Sequence, residues 1–376
     1  MAYVAARGGE DAIQNAEHLY RELFGGVSSE RVQALEDALP YLLDRIMGEA
    51  SLYAPQLAAL ALTQSGGDLY EAVLLLRAFR STQPRLAYAF SVKLEESLTV
   101  RRISAAFKDI PGGQTLGPTL DYSHRVLMLE HLKESASPLP DALEAETAAP
   151  AHYPLTADWL REGGLLPPAK HTPVNTPEEV AELPDLTREP PQYPVPRGLR
   201  LQALARADTG GVLALGYANM RGYGTIHPTV NEVRLAYAEV NLRHPVTGET
   251  FSAGRVRVSQ AEVVGKFTRA GSTVSATGAV TVVPDRTDLE LGMCATLGWN
   301  ETKLIAGAML DVAMNLERPH PSQTEEFVLS HTEAVESSGF CIHYKLPHYV
   351  TFSSDLDSVR GAKAGGNAVV AGEVTG

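Results

Sequence analysis

The chain has 376 residues and a formal net charge of −13, a length that allows two or three domains with hydrophobic cores. Its 44% hydrophobic content excludes a chain that is disordered throughout. The acidic balance excludes broad nucleic-acid binding, which needs excess positive charge, and no apolar run approaches the ~20 residues of a membrane helix.

The first residues, MAYVAARGGEDAIQ, lack the basic-then-apolar layout of a secretory signal. Residues 1–110 read as mostly helical. Val32, Leu35, Leu39, Leu42, Leu43 and Ile46 follow helical spacing behind capping candidates Ser28 and Ser29. Pro40 interrupts them and predicts a kink or two shorter helices. Pro55 suits a first helical position, and Asp68 with Glu71 resembles a capping box before VLLLRAF. Residues 134–196 are rich in proline, alanine and acid and read as linker or extended chain, with a small helix around Asp158–Arg161. From about Leu199 the pattern predicts a helix, a turn at Gly210–Gly211 and a buried helix or strand. EVRLAYAEVNLR and GRVRVSQAEVVGKF then read as two strands joined by the turn HPVTGE. LELGMCATLGW is a further strand, and Asn300 caps a helix carrying Leu304, Ala308 and Val312. The last stretch is low-complexity and reads as disordered. The expected fold is therefore α+β: a mainly helical domain over 1–133, a Pro/acid-rich linker over 134–196, a mixed domain with a β-hairpin over 197–354, and a disordered tail over 355–376.

Four segments carry candidate chemistry. In 101–125, RRISAAFKDIPGGQTLGPTLDYSHR, the glycines Gly112 and Gly113 lie among Arg101, Arg102, Lys108 and Arg125. Such a loop can cradle phosphates through backbone N–H groups and cations, although from composition alone a turn-rich connection with a solvated basic flank is the favoured reading. No G-K-[ST] follows, so it is not a Walker-type loop. Asp121 and His124, three residues apart, would share a face if helical and form an acid–base pair, or be a cap and a surface histidine. Arg221 in RGYGTIHP sits in a polar turn and can bind an anion. His343 and His348 flank Pro347, and a bend there can bring both imidazoles to one metal, with Cys341 on the same face as His343 if the chain is extended. Two histidines fall short of the four ligands of a closed zinc site, so water, Cys341, His331 or a partner chain must supply the rest. The only other cysteine, Cys294, is distant, with no C-x-x-C; that fits a reducing cytoplasm rather than a disulfide framework.

The blocks YVAARGGEDAI, LLLRAFR, RRISAAFKDIPGGQTLGPTLDYSHR, RGYGTIHP, EEFVLSHTEAVESSGF and HYKLPHYV, in this order, make the chain resemble subunit I of the bacterial carbon–phosphorus lyase core complex. The resemblance runs to about Phe352. It implies a cytoplasmic system for using phosphonates. Within it, the subunit is associated with ATP or GTP nucleosidase activity alone. With partner subunits it is associated with displacement of adenine from MgATP by methylphosphonate, giving α-D-ribose 1-methylphosphonate 5-triphosphate. The implied partners are subunits G, H and J and the nucleotide-binding subunits K and L, with two copies of this chain in a hetero-oligomeric core. It also implies Zn²⁺ on His343 and His348, shared with subunit J, and Mg²⁺ with the nucleotide. Later radical cleavage belongs to an iron–sulfur subunit, and this chain has no cysteine triad for such a cluster.

On that footing, Arg101, Arg102, Lys108, Gly112, Gly113 and Arg125 are expected to hold the triphosphate. Asp109, Asp121 and His124 are candidates for protonating the departing base. Arg221 or the metal at His343 and His348 would bind the phosphonate. The competing expectations are a non-catalytic scaffold that shares its metal with the radical subunit, and a stand-alone zinc hydrolase.

Overall fold

The computed structural model describes residues 9–132, 152–169, 173–224, 226–269, 272–274, 280–282, 286–345 and 350–372. The chain divides into two compact units. The smaller comprises Met1–Gly26 and Val335–Gly376; the larger is Val27–Ala334. Among the described residues no helix is long and apolar enough to cross a membrane.

The larger unit begins with four short helices: α2 (Ser29–Ala38), α3 (Pro40–Ala50), α4 (Pro55–Gln64) and α5 (Leu69–Ser81). Their ends follow the capping chemistry of the sequence. Ser28 Oγ accepts from the Arg31 N–H, and Asp68 Oδ1 accepts from the N–H groups of Tyr70 and Glu71. Pro40 and Pro55 occupy first helical positions, where a missing N–H is harmless. Leu43, Ile46, Met47, Leu62, Val73 and Leu76 are buried, each fully buried side chain contributing roughly 1.5–3 kcal/mol.

A four-stranded antiparallel sheet, in the order β1-β2-β3-β6, forms the centre. Its strands are β1 (Leu98–Ile103), β2 (Thr229–Arg243), β3 (Thr250–Arg269) and β6 (Arg286–Leu297); β4 (Ser272–Val274) and β5 (Val280–Val282) pair separately. The β2–β3 hairpin closes as HPVTGE predicts: His244 and Glu249 are joined through the backbone, and the His244 ring accepts from the N–H groups of Val246 and Thr247. Two-residue alternation sends Ala261 and Val263 to one face, against α8 (Arg197–Arg206), α9 (Thr209–Ala218) and α10 (Glu301–Ala313). Val264 faces the other way, against Leu160 and Leu166, from and beyond α6 (Thr156–Glu162). Gly292 lets α10 approach β6 closely, because a Cβ there would lie 2.2 Å from the Ala308 carbonyl oxygen. The mixed α+β expectation holds.

Three expectations need correction. First, the 1–133 region is no separate helical domain. Its residues 98–103 form β1, which pairs with β2. Buried Asp44 and Glu49 of α3 accept from the N–H groups of Trp299 and Thr209. Nor do the described residues of 134–196 hang as a linker, since Tyr153, Thr156, Leu160 and Val195 are buried in the larger unit. Second, Gly210–Gly211 is not the turn. Asp208 caps α9 by accepting from Gly211 N at 2.6 Å, so the break falls one step earlier. Third, in the smaller unit, which also holds α1 (Gly9–Phe24) and most of α12 (Ala334–Lys345), the expected disordered tail lies largely in helix α13 (Val350–Gly372). Arg360 pairs there with Asp357 at helical spacing. Residues 373–376 and, within 134–196, residues 134–151 and 170–172 lie outside the described residues.

Candidate functional site

The glycine-rich segment folds back onto the free edge of β1. Arg102 and Thr115 exchange both backbone hydrogen bonds, at 2.7 and 2.8 Å. The Arg102 side chain is fully buried. Its Nη1 donates to the carbonyls of Pro111 and Gly113, both at 2.7 Å, and its Nη2 donates to Pro154 O, Thr156 Oγ1 and Glu232 Oε2. Arg101, 3% exposed, pairs with Glu301 at 2.7 Å and donates to Leu116 O. The two arginines therefore clamp opposite ends of the turn. A triphosphate would have to displace these contacts to reach them.

Two glycines make this seat possible. Gly112 has φ +81°, and a Cβ there would meet Pro154 at 3.3 Å and Arg102 Nη1 at 3.6 Å. Gly117 has φ +57°, and a Cβ there would lie 2.1 Å from Val100 O. Gln114 pins the interior of the turn, accepting from Ser104 N and donating to the carbonyls of Phe107 and Lys108.

Around the buried arginines lies a network that sequence reasoning missed. Glu232 accepts from Arg102, from Arg234 and from both the N–H and the hydroxyl of Thr156. Burial pushes its carboxyl up, but Arg234, Thr156 and Arg102 outweigh burial and hold it below the usual carboxylate range. Arg234 also donates to the carbonyls of Leu94 and Tyr153. Nearby Glu262 accepts from Asn231 at 2.9 Å. Burial, reinforced by the Glu232 charge, raises its carboxyl to about 7. The available signal was the i, i+2 placement of Glu232 and Arg234 on a strand, which puts both on one face.

The outer side of the segment is different. Lys108, Asp109, Asp121, His124 and Arg125 are all exposed. Arg125, at φ +51°, forms an ion pair with Asp121. The helical face expected for Asp121 and His124 is not formed: a short 3-10 turn ends at Tyr122, and Ser123 is extended. Thr119 holds Asp121 instead, accepting from its N–H and donating to its carboxylate. Arg221 lies in a kinked turn after α9, where Gly222 breaks the helix at φ +105°, with its guanidinium 5.8 Å from the Tyr217 ring centre. Among the described residues no hydrogen bond or ion pair joins Arg221 to 101–125.

His343 is exposed on the last turn of α12. Cys341 is helical there too, not extended, so the two side chains point about 200° apart and share no face. His331 stacks on Phe327 with ring centres 4.0 Å apart. His348 lies outside the described residues. Among the described residues no group of three or more His, Cys, Asp or Glu side chains is arranged to hold a metal. The exposed imidazole of His343 suits a metal ligand that needs further donors from elsewhere.

Comparison with known proteins places this sequence in a family. The family described as "Bacterial phosphonate metabolism protein (PhnI)" matches residues 2–365. HtxH of Stutzerimonas stutzeri, named as a candidate C-P lyase subunit, is 43% identical over 96% of this chain and 95% of its own length. The alpha-D-ribose 1-methylphosphonate 5-triphosphate synthase subunit PhnI of Rhizobium meliloti (strain 1021) is 39% identical, over 98% of this chain and 97% of its own. The protein of the same name from Escherichia coli (strain K12) is 36% identical, over 95% and 97%. At this identity over nearly the whole chain, the protein belongs to the PhnI family of bacterial phosphonate metabolism.

Proposed function

We propose that the chain is a catalytic subunit of a multisubunit carbon–phosphorus lyase system, in which the purine of a ribonucleoside triphosphate is displaced by methylphosphonate. The product would be α-D-ribose 1-methylphosphonate 5-triphosphate. The carrying observation is the near full-length identity, 39% and 36%, to two proteins named as subunits of that synthase.

Substitution at the anomeric carbon passes through an oxocarbenium-like transition state. The departing base must gain a proton or hydrogen bond, and the triphosphate must be held. Arg101 and Arg102, with their guanidiniums committed inside, serve by fixing the loop. The exposed cations Lys108 and Arg125, the latter in a solvent-exposed ion pair with Asp121 that an anion can displace, are the ones placed to meet a triphosphate accompanied by Mg²⁺. Asp109, Asp121 and His124 lie on the same solvent-facing stretch and are the proton-donor candidates. Arg221 is the anion-binding candidate for the phosphonate. Zn²⁺, held by His343 and His348 with a partner subunit completing the site, would supply Lewis-acid chemistry when bound.

The test is adenine release from MgATP by the purified chain, then product formation with the partner subunits G, H and L and methylphosphonate. Asp121→Asn, His124→Ala and the pair Lys108→Ala/Arg125→Ala are expected to lower adenine release at least tenfold in one case or more. Wild-type rates in all three would remove this stretch from the chemistry.

A scaffold role has its own support. Leu120, Val126, Leu127 and Leu132 are each more than 70% exposed. Such a stretch suits burial against a partner subunit such as J or K. No adenine release by the chain alone or in the complex would favour that reading.

A further inference from the structure

We propose that a groove of mixed polar and apolar lining on the β2–β3 ribbon binds a phosphorylated sugar. The groove has a volume of about 620 Å³, within the usual range for small-molecule sites. One wall is the ribbon, presenting Tyr237, Glu239, Asn241 and Arg255. The other is the chain leading into β1, which presents Lys93. None of these residues belongs to the glycine-rich site.

Arg255 carries the argument. It stands directly opposite Glu239 in the strand register. Yet among the described residues its guanidinium has no ion pair or hydrogen bond, although most arginines of this acidic chain are paired. The backbone explains how it is aimed. Between the pairs Glu239–Arg255 and Asn241–Ser252 the register advances two residues on β2 and three on β3. This bulge, with Gly254 at φ +120°, twists the ribbon just before Arg255. Lys93 adds a second cation; its partner Glu96, at 3.4 Å, is exposed, so the pair is weak and an anion can displace it.

The remaining lining fixes the ligand class. Glu239 and Asn241 have no side-chain hydrogen bond among the described residues. Being two apart on a strand, they point to one side. A carboxylate that accepts and an amide that accepts and donates match the vicinal hydroxyls of a sugar. The Tyr237 ring is braced edge-on against Trp299, with centres 5.2 Å apart, and offers a rigid apolar surface to a sugar ring. A bare anion would be opposed by Glu239, and an uncharged sugar would leave Arg255 unused. A ligand with both phosphate and hydroxyls engages Arg255 and Lys93 through its phosphate and Glu239, Asn241 and the second lining carboxylate, Glu96, through its hydroxyls.

The inference rests on the proposed function only in that a nucleoside triphosphate is one ligand of this kind. Calorimetric titration of the full chain with ribose 5-phosphate, ribose and inorganic phosphate tests it. Ribose 5-phosphate is expected to bind more tightly than either fragment. Arg255→Ala should weaken it at least tenfold, and Glu239→Gln should weaken it while inorganic phosphate binds more tightly. Lys266→Ala, on the same strand outside the groove, should bind as wild type and circular dichroism should show all variants folded. No binding by the wild type, or equal binding by Arg255→Ala, overturns the proposal. It does so whether or not the chain releases adenine, so the groove and the base-exchange reading fail separately.

Discussion

Glu232 sits between Arg102 and Arg234 with almost no solvent to share the charge. Breaking such a group by removing one partner typically costs about 3–5 kcal/mol, because it strands the remaining charge. Arg102→Ala should therefore destabilise strongly, seen as a lower urea midpoint. It should also free Gly113 O and Pro111 O, raising hydrogen exchange across 110–115 more than elsewhere. Arg125→Ala, whose pair is exposed, should leave the midpoint nearly unchanged. Glu262 makes the opposite pH argument. Its folded carboxyl is raised to about 7 from 4.5, by burial first and then by the Glu232 charge. A raised carboxyl contributes stability that is complete below the unfolded value and is lost as pH rises through the folded one. Glu262→Gln keeps the neutral, hydrogen-bonded form at all pH. The variant should thus gain on wild type between pH 5 and 8. The gain rises by about 1.4 kcal/mol for each pH step between the unfolded and folded titrations. A difference in urea unfolding that stays flat over that range would sink the argument. Of these contacts only the i, i+2 placement of Glu232 and Arg234 left a signal in the sequence. Two adjacent arginines followed by a glycine-rich loop read as a solvent-facing cradle, because charge alone does not reveal which partner lies 130 positions away in Glu232.

At the scale of elements, local chemistry was readable wherever it acts locally. Ser28, Asp68 and Asn300 cap the helices they precede, and Pro40 splits α2 from α3. Strand β1 was not readable. LTVRRI carries two charges where a buried strand should carry apolar residues, and its burial depends on Glu232 and Glu301 arriving from distant elements. The same limit applies to close approaches. Nothing in LELGMCATLGW says that Gly292 touches α10, yet a Cβ would lie 2.2 Å from Ala308 O and 2.4 Å from a Val312 methyl. Backbone cannot yield as a flexible side chain can, so Gly292→Ala should destabilise by about 3 kcal/mol or more. Gly339→Ala, with open space around it on α12, should be neutral or slightly stabilising. Thermal melting of both variants separates the two effects, and equal melting temperatures would contradict the packing of α10 on β6.

At the scale of the whole molecule, the order of motif blocks carried the family, while the chain's two compact units cut across the domains expected from composition. The metal proposal belongs at this scale, because neither compact unit alone presents a full ligand set among the described residues. A closed zinc site wants four ligands, and the proposed pair His343 and His348 would supply two. Water must fill the remainder in the isolated chain, and a partner subunit can replace it with protein donors. Binding strength should then depend on assembly. The isolated chain is expected to lose zinc on dialysis against a mild chelator, whereas the assembled complex retains about one zinc per copy of this chain. His343→Ala and His348→Ala should each abolish retention in the complex. Cys341→Ser should leave it intact, since a helix turns the Cys341 and His343 side chains to different sides. Metal analysis of the dialysed samples reads all of these directly. Zinc held equally well by the isolated chain would show that it completes the site by itself, and zinc lost from Cys341→Ser would return that cysteine to the ligand set.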